Sequence, residues 1–169
     1  WSLTVGPLPP DIYDYAFEID GVAFIDTNCP GVQAGTGSPR SLFTVKADEP
    51  AYFEARNVPH GVVHRHTYDS EVTGTVRDLM VYTPPNYGRE PARHFPVLYL
   101  LHGGGDDARG WTLVGQAHRL MDNLLAEGKA EPTIIVMPDG QAVPRTSSLE
   151  ALRTQNTPLF EQDLLANIM

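Results

Sequence analysis

The stretch from Phe95 to Asp107, FPVLYLLHGGGDD, constrains this chain more than any other. A short continuous apolar run reads as a strand buried on both faces, the kind found in parallel sheets. It stops in a histidine and three successive glycines, which let the backbone turn sharply and come close to whatever sits above it. A second run of the same kind, TIIVMPDG, ends at Asp139 and Gly140. Between them, LVGQAHRLMDNLLAEGK has helical spacing, with Leu113, Ala117, Leu120, Leu124 and Leu125 on one stripe and Gly128 as its C-terminal cap. Strand, loop, helix and strand in this order predict a right-handed βαβ unit, hence an α/β fold.

The residues before this unit read differently. Residues 1–45 are β in character, with Gly-Pro and Pro-Pro punctuation between strand-like runs, the first opening at Trp1. Tyr13, Tyr15, Phe17 and Ile19 share one parity, and Asp20-Gly21 is a hairpin signal before Val22. The segment NCPGVQAGTGSPRS reads as an irregular loop, followed by a strand over 41–45. Residues 46–59 show no period and form the candidate linker. From His60, GVVHRHTYDS and TVRDLMVYTPP predict an antiparallel hairpin turning over 71–74. Residues 141–157 read as a long polar loop. Thr157 and Pro158 read as the cap and first position of a last helix whose stripe is Leu159, Leu164, Leu165 and Ile168.

Composition narrows the function. A formal net charge of −9, with only Lys46 and Lys129 as lysines, excludes the basic footprint needed for nucleic acid or an anionic membrane surface. Cys29 is the only cysteine, so no internal disulfide framework exists, and nothing around it marks a reactive thiol. His60, His64 and His66 share a strand parity, but their spacing matches no zinc motif, and they read as a half-exposed strand. His118 reads as a surface or interface residue of the helix, and His102 as an anchor for the glycine loop. No metal or organic cofactor is implied.

The strings PHGVVHRHTYDS, RDLMVYTPPNY, FPVLYLLHGGGDDARGW, DNLLAEGKAEPTIIVMPDG and LFEQDLLANIM occur in the order found at the start of an α/β-hydrolase domain. Over residues 60–169 the chain resembles carbohydrate esterases of the family 1 type, the feruloyl and acetyl-xylan esterases related to esterase D and the enterochelin esterases. Its N-terminal part resembles the last strands of the starch-binding-like β-sandwich that often precedes them. The Asp-Pro-x-Asn pattern of that module appears here as Asp26-Thr27-Asn28.

The resemblance implies a division into 1–45 (end of a β-sandwich), 46–59 (linker) and 60–169 (N-terminal part of the esterase domain). It also implies a serine esterase acting through an acyl-enzyme on esters of plant polysaccharides, secreted or periplasmic, with no nucleic-acid or membrane partner. Gly103 or Gly104 would supply a backbone N–H to the oxyanion hole, a donor worth about 3 kcal/mol in the transition state. Asp106 and Trp111 would flank the substrate, with Asp107, Asp139 and Gly140 nearby. The glycines carry neither the Gly-Lys-Ser/Thr of a Walker loop nor G-x-G-x-x-G.

No G-x-S-x-G elbow occurs in the 169 residues. The expectation is therefore that serine, acid and histidine lie beyond Met169 and that the chain alone is inactive. An open sheet edge would then favour oligomerisation or association with the rest of the domain. A siderophore-ester or acyl-thioester hydrolase would share every motif, and a non-catalytic glycan-binding module is the other alternative.

Overall fold

The structure, a computed structural model, describes residues 2–33, 38–89 and 91–169. Trp1, residues 34–37 of the expected irregular loop, and Glu90 lie outside the described residues. The chain is mixed α/β. Its centre is a four-stranded sheet built from β6 (Val62–Ser70), β7 (Thr75–Thr83), β8 (Val97–Tyr99) and β9 (Ile134–Pro138), in the order β6-β7-β9-β8. The predicted hairpin is β6 and β7, in register from Val62 opposite Thr83 to Ser70 opposite Thr75, and Gly74 takes φ +64° in its turn. The two apolar runs are β8 and β9, paired parallel with Val97 opposite Ile134. β8 is shorter than the apolar run, because the ladder ends with Leu100 donating to Val136 O at 2.9 Å and the chain then turns away toward the glycines.

The inner strand β9 carries the core. Ile135 and Met137 are buried with Tyr82 of β7 and Ala117, and Val63, Met80, Leu100, Trp111 and Met121 pack around them. Ala117 opens α2 (Ala117–Ala126). The single helix expected from Leu113 is broken: α1 is one turn, Gly110–Leu113, and Gln116 takes φ +48° before α2 starts. Leu113 and Leu120 therefore stay exposed, and the inward positions of α2 are Ala117, Asp122 and Asn123. The helix ends as expected. Gly128 at φ +67° donates to Leu125 O and Lys129 to Leu124 O, the two bonds of a Schellman cap.

After β9 the expected polar loop is interrupted by α3 (Leu149–Thr154), capped by Ser148 whose Oγ accepts from Ala151 N at 3.2 Å. α4 (Asn156–Asp163) follows and runs into a π-helical turn, Leu164–Ile168. Thr157 is inside α4 and caps nothing, because α3 runs almost directly into α4 and leaves no free start there. Phe160 and Asp163, not the leucine stripe, are its buried residues.

The N-terminal residues form β1 (Asp11–Tyr15), β2 (Phe17–Ile19), β3 (Val22–Phe24), β4 (Gly31–Gln33) and β5 (Arg40–Val45). The sheet β1-β5-β4 and the hairpin β2-β3 are both antiparallel. The hairpin turn is Asp20-Gly21, both at positive φ as a type I′ turn requires. The four residues expected on one strand face divide between β1 and β2: Tyr13 stacks on Phe43 at 5.5 Å and Tyr15 meets it edge-on at 5.6 Å, while Phe17 meets Tyr15 edge-on at 5.8 Å from β2 and Ile19 is exposed. The run Ser2–Val5, expected as a strand, makes no ladder, and β4 forms where the sequence suggested only loop. Residues 46–59 hold no strand or helix. They are nonetheless pinned to α2, where Asn123 donates to Tyr52 O at 2.7 Å and Glu54 O at 2.9 Å.

Candidate functional site

The parallel pair ends at one rim of the sheet, where the loops after β8 and β9 meet. This is the side on which α/β sheets present their ligand-binding loops. His102 leaves β8 with its side chain only 7% exposed, lodged between the two loops. Its Nδ1 is 2.8 Å from Gly103 O, and Gly140 N–H donates to Nε2 at 2.8 Å. The anchor expected for the glycine loop thus grips both strand ends at once. Asp139 Oδ1 lies 3.3 Å from Nε2, and that carboxylate raises the His102 pKa above its ordinary value. Charging the ring would deprive the Gly140 N–H of its acceptor. The shorter Gly140 contact fixes the tautomer in the neutral ring, with the proton on Nδ1.

Asp139 is held in turn. Burial opposes its ionisation, but His102, the Gln141 N–H, Arg145 and Arg77 outweigh burial and bring its pKa below the usual carboxylate value. Arg77, on β7, donates to Asp139 O and to Gln141 O, the latter at 2.8 Å, so the second loop is clamped through its carbonyls. Behind Arg77 sits Asp163, fully buried, 2.9 Å from Arg77 Nε and accepting from Tyr68 OH at 2.7 Å and from Ser70 Oγ. Sequence reading missed this support. The one signal for it was an arginine in phase with Leu79 and Val81 on β7.

The glycine loop itself is open. Gly103, Gly104 and Gly105 are exposed, and a Cβ added to Gly103 or Gly104 would meet nothing within 4 Å. The Gly103 carbonyl accepts from His102 and from Asp106 N at 3.3 Å, and Gly105 takes φ +89°. The N–H groups of Gly103 and Gly104 have no protein partner among the described residues. An N–H pair left unpaired at an exposed strand end can receive negative charge developing on an oxygen.

The structure brings the other expected residues to the same rim, with their polar groups already engaged. Asp106 accepts from Asp107 N at 3.0 Å and lies against Gly110, where a Cβ would overlap its carboxylate. Burial pushes the Asp107 carboxyl up, but Arg109, 2.6 Å away, prevails and leaves it below its ordinary value. Trp111 donates its indole N–H to Leu101 O at 2.9 Å, and its ring covers Gly115. With His102, Gly103, Asp106, Gly110 and Val114, Trp111 lines a cavity of about 190 Å³ beside the loop. On the far side of Asp107, a charged recess of about 300 Å³ is bounded by Arg65, Asp78, Arg109 and Asp139.

His60 does not join a histidine cluster: it bonds Asp122 at 2.9 Å, while His64 lies 3.2 Å from Thr83 Oγ1. Among the described residues no group of three or more His, Cys, Asp or Glu is placed to hold a metal ion, and no helix is long and apolar enough to cross a membrane.

Residues 70–163, more than half of the chain, match the Esterase family model, described as "Putative esterase". An endo-1,4-beta-xylanase/feruloyl esterase of Xylanibacter ruminicola is 38% identical over 143 residues, which is 81% of this chain and 19% of that protein. Among solved structures, a ferulic acid esterase of the anaerobic fungus Anaeromyces mucronatus superposes with a TM-score of 0.60 at 29% identity, covering 70% of this chain and 45% of the other. The enterobactin esterase of Shigella flexneri shares the fold, with a TM-score of 0.52 at 15% identity over 86% of this chain and 35% of that one. The chain thus spans about a fifth of the first relative and less than half of the fungal esterase.

Proposed function

Because this chain belongs to the Esterase family, we propose that the protein containing it hydrolyses feruloyl or acetyl esters of plant cell-wall polysaccharide. The observation that carries the proposal is the glycine loop: two unpaired backbone N–H groups at the C-terminal end of a parallel strand. The chemistry is serine acyl transfer. A serine attacks the ester carbonyl, the alcohol of the polysaccharide leaves, and water releases the acid from the acyl-enzyme. Gly103 or Gly104 receives the oxyanion charge, and Asp106 and Trp111 border the acyl or sugar group. The mechanism uses no metal or organic cofactor.

The serine, acid and histidine come from outside these 169 residues, since no G-x-S-x-G string occurs in them. The chain alone is therefore inactive. Residues 60–169 are its share of the esterase domain, 46–59 a linker, and 1–45 the end of a β-sandwich module. The rest of the esterase domain, or a second copy, covers the free edge of β8. The polysaccharide substrate places the protein outside the cytoplasm. The substrate class rests on the 38% identity to a xylanase/feruloyl esterase, whereas likeness to the enterobactin esterase at 15% identity supports the fold alone.

The test is an assay of the full-length protein on feruloylated arabinoxylan, acetylated xylan and a siderophore ester, with a serine-directed organophosphate as control. Inhibitor-sensitive release of ferulate or acetate is expected. Turnover of the siderophore ester alone would replace the substrate class. Serine-dependent turnover by the 169 residues alone would overturn the placement of the nucleophile.

A further inference from the structure

We propose that His102 is a positioning residue that locks the Gly103–Gly104 peptide, so that Gly104, not Gly103, presents the oxyanion N–H. The inference rests on the esterase reading above and chooses between its two candidate donors.

The argument is one of peptide geometry. A trans peptide is planar, so the carbonyl of one residue and the N–H of the next point in opposite directions. The Gly103 carbonyl is held by His102 Nδ1 at 2.8 Å and by the Asp106 N–H at 3.3 Å. Holding that oxygen fixes where the Gly104 N–H points: away from the His102 ring and from the loop's own hydrogen bonds. The Gly104 N–H accordingly has no protein partner among the described residues. The peptide before Gly103 carries no comparable restraint, because its oxygen belongs to His102 itself and takes no hydrogen bond among the described residues. Glycine at 103 and 104 leaves the peptide otherwise free to rotate, since no Cβ resists the motion. The imidazole supplies the stiffness that two glycines forgo for close approach.

The ring is suited to this work because its other nitrogen is occupied. Gly140 N–H donates to Nε2 at 2.8 Å, which keeps the proton on Nδ1 where the Gly103 carbonyl needs it. The side chain is 7% exposed, and the Gly140 contact at Nε2 is half-buried, which limits the competition of water for that nitrogen. Both strand ends therefore set the direction of one N–H group.

Two substitutions separate the claim from a merely structural role. In His102→Asn the amide nitrogen takes the place of Nδ1 and can still donate to Gly103 O. In His102→Leu nothing can. In the full-length protein, His102→Leu is expected to lower kcat by about ten- to a hundredfold with KM changed less than about threefold, less than the loss of a whole oxyanion donor. His102→Asn is expected to recover most of kcat.

Equal loss in both variants, or a loss confined to KM, would overturn the proposal. A wild type inactive on every ester would instead remove the esterase reading. The proposal then stands or falls on the 15N shifts of His102: a neutral ring protonated at Nδ1, with a coupling from Gly140 N–H to Nε2, is expected, and a ring protonated at Nε2 would sink it.

Discussion

Two parts of the molecule hold themselves together by opposite means. The four-stranded sheet and its helices are tied by carboxylates that water does not reach: Asp122 at 2% exposure and Asp163 at 0%. Asp122 accepts from Tyr82 OH at 2.7 Å and from Gly61 N at 2.8 Å, and it joins α2 to the start of β6. Asp163 joins α4 to both strands of the β6–β7 hairpin through Ser70, Tyr68 and Arg77. In the N-terminal strands, by contrast, Ser41 is the one buried residue among those described. Its ties, such as Arg40 to Asp14, lie near the surface, and Phe17, Ile19, Val22 and Phe24 are exposed. A buried charge is costly to strand, and a wet one is cheap to lose. The rim loops belong to the first regime, so the candidate oxyanion loop sits on the part of the chain least tolerant of change.

The largest effect should follow from breaking the deepest knot. Asp163→Asn keeps the shape but leaves the Arg77 guanidinium buried without its direct ion-pair partner. Removing one partner of a buried pair costs about 3–5 kcal/mol. Urea unfolding should show that loss, and a change below about 1 kcal/mol would mean Arg77 finds another partner. Tyr82→Phe at the other knot should cost less, about 1–2 kcal/mol, because Asp122 keeps Gly61 and His60 and only one hydrogen bond goes. If the two substitutions cost the same, the ranking of a stranded charge above a lost hydroxyl is wrong.

The two parts also shift tyrosines for different reasons. Tyr68 is pushed up to about 12 first by burial and then by its bond to Asp163. Tyr15 is pushed to about 12 first by its bond to Asp26. A raised tyrosine pKa means the neutral phenol favours the fold. That contribution is whole below the ordinary value of about 10 and is lost as pH climbs through about 12. Titration followed at 295 nm should therefore show these two phenols late, and Tyr82, raised further by burial and its bond to Asp122, later still. Asp26→Asn should return one toward 10, and Tyr68→Phe should remove the other. A Tyr15 that still ionises near 12 once the Asp26 carboxylate is replaced by an amide would show that burial governs the N-terminal strands as well.

What the sequence made legible follows the same division. Turns and caps that depend on one backbone conformation were written in single residues, as at Asp20-Gly21, Gly74 and Gly128. Both parallel strands were legible as unbroken apolar runs, but the expected burial on both faces holds only for the inner strand β9; β8 is the edge strand, and its Val97 and Leu98 are exposed. The ties of Asp122 to Tyr82 and of Asp163 to Tyr68 were not legible, since they span 40 and 95 residues and no local pattern links them. The leucine stripe of α2 misled for a related reason: two inward positions are polar, satisfied by Tyr82 and by carbonyls of residues 52 and 54. Ser148 before a run of helix formers was a cap signal overlooked in a Ser/Thr-rich stretch. At the site, the glycines announced the loop, but the grip of His102 on Gly140 depends on a contact across 38 residues.

The smallest effect tests the comparison from its weak side. Arg40 and Asp14 are paired, yet their side chains are 49% and 43% exposed. Water solvates both groups once they part, and two flexible chains regain their freedom, so exposed pairs contribute little. Arg40→Ala should leave the thermal midpoint within about a degree of the wild type. The same substitution should leave the Tyr15 titration unchanged, because Tyr15 answers to Asp26, not to Asp14. A marked drop in the midpoint would show that the N-terminal strands depend on this pair, and that a nearly uncored sheet can be held at its surface after all.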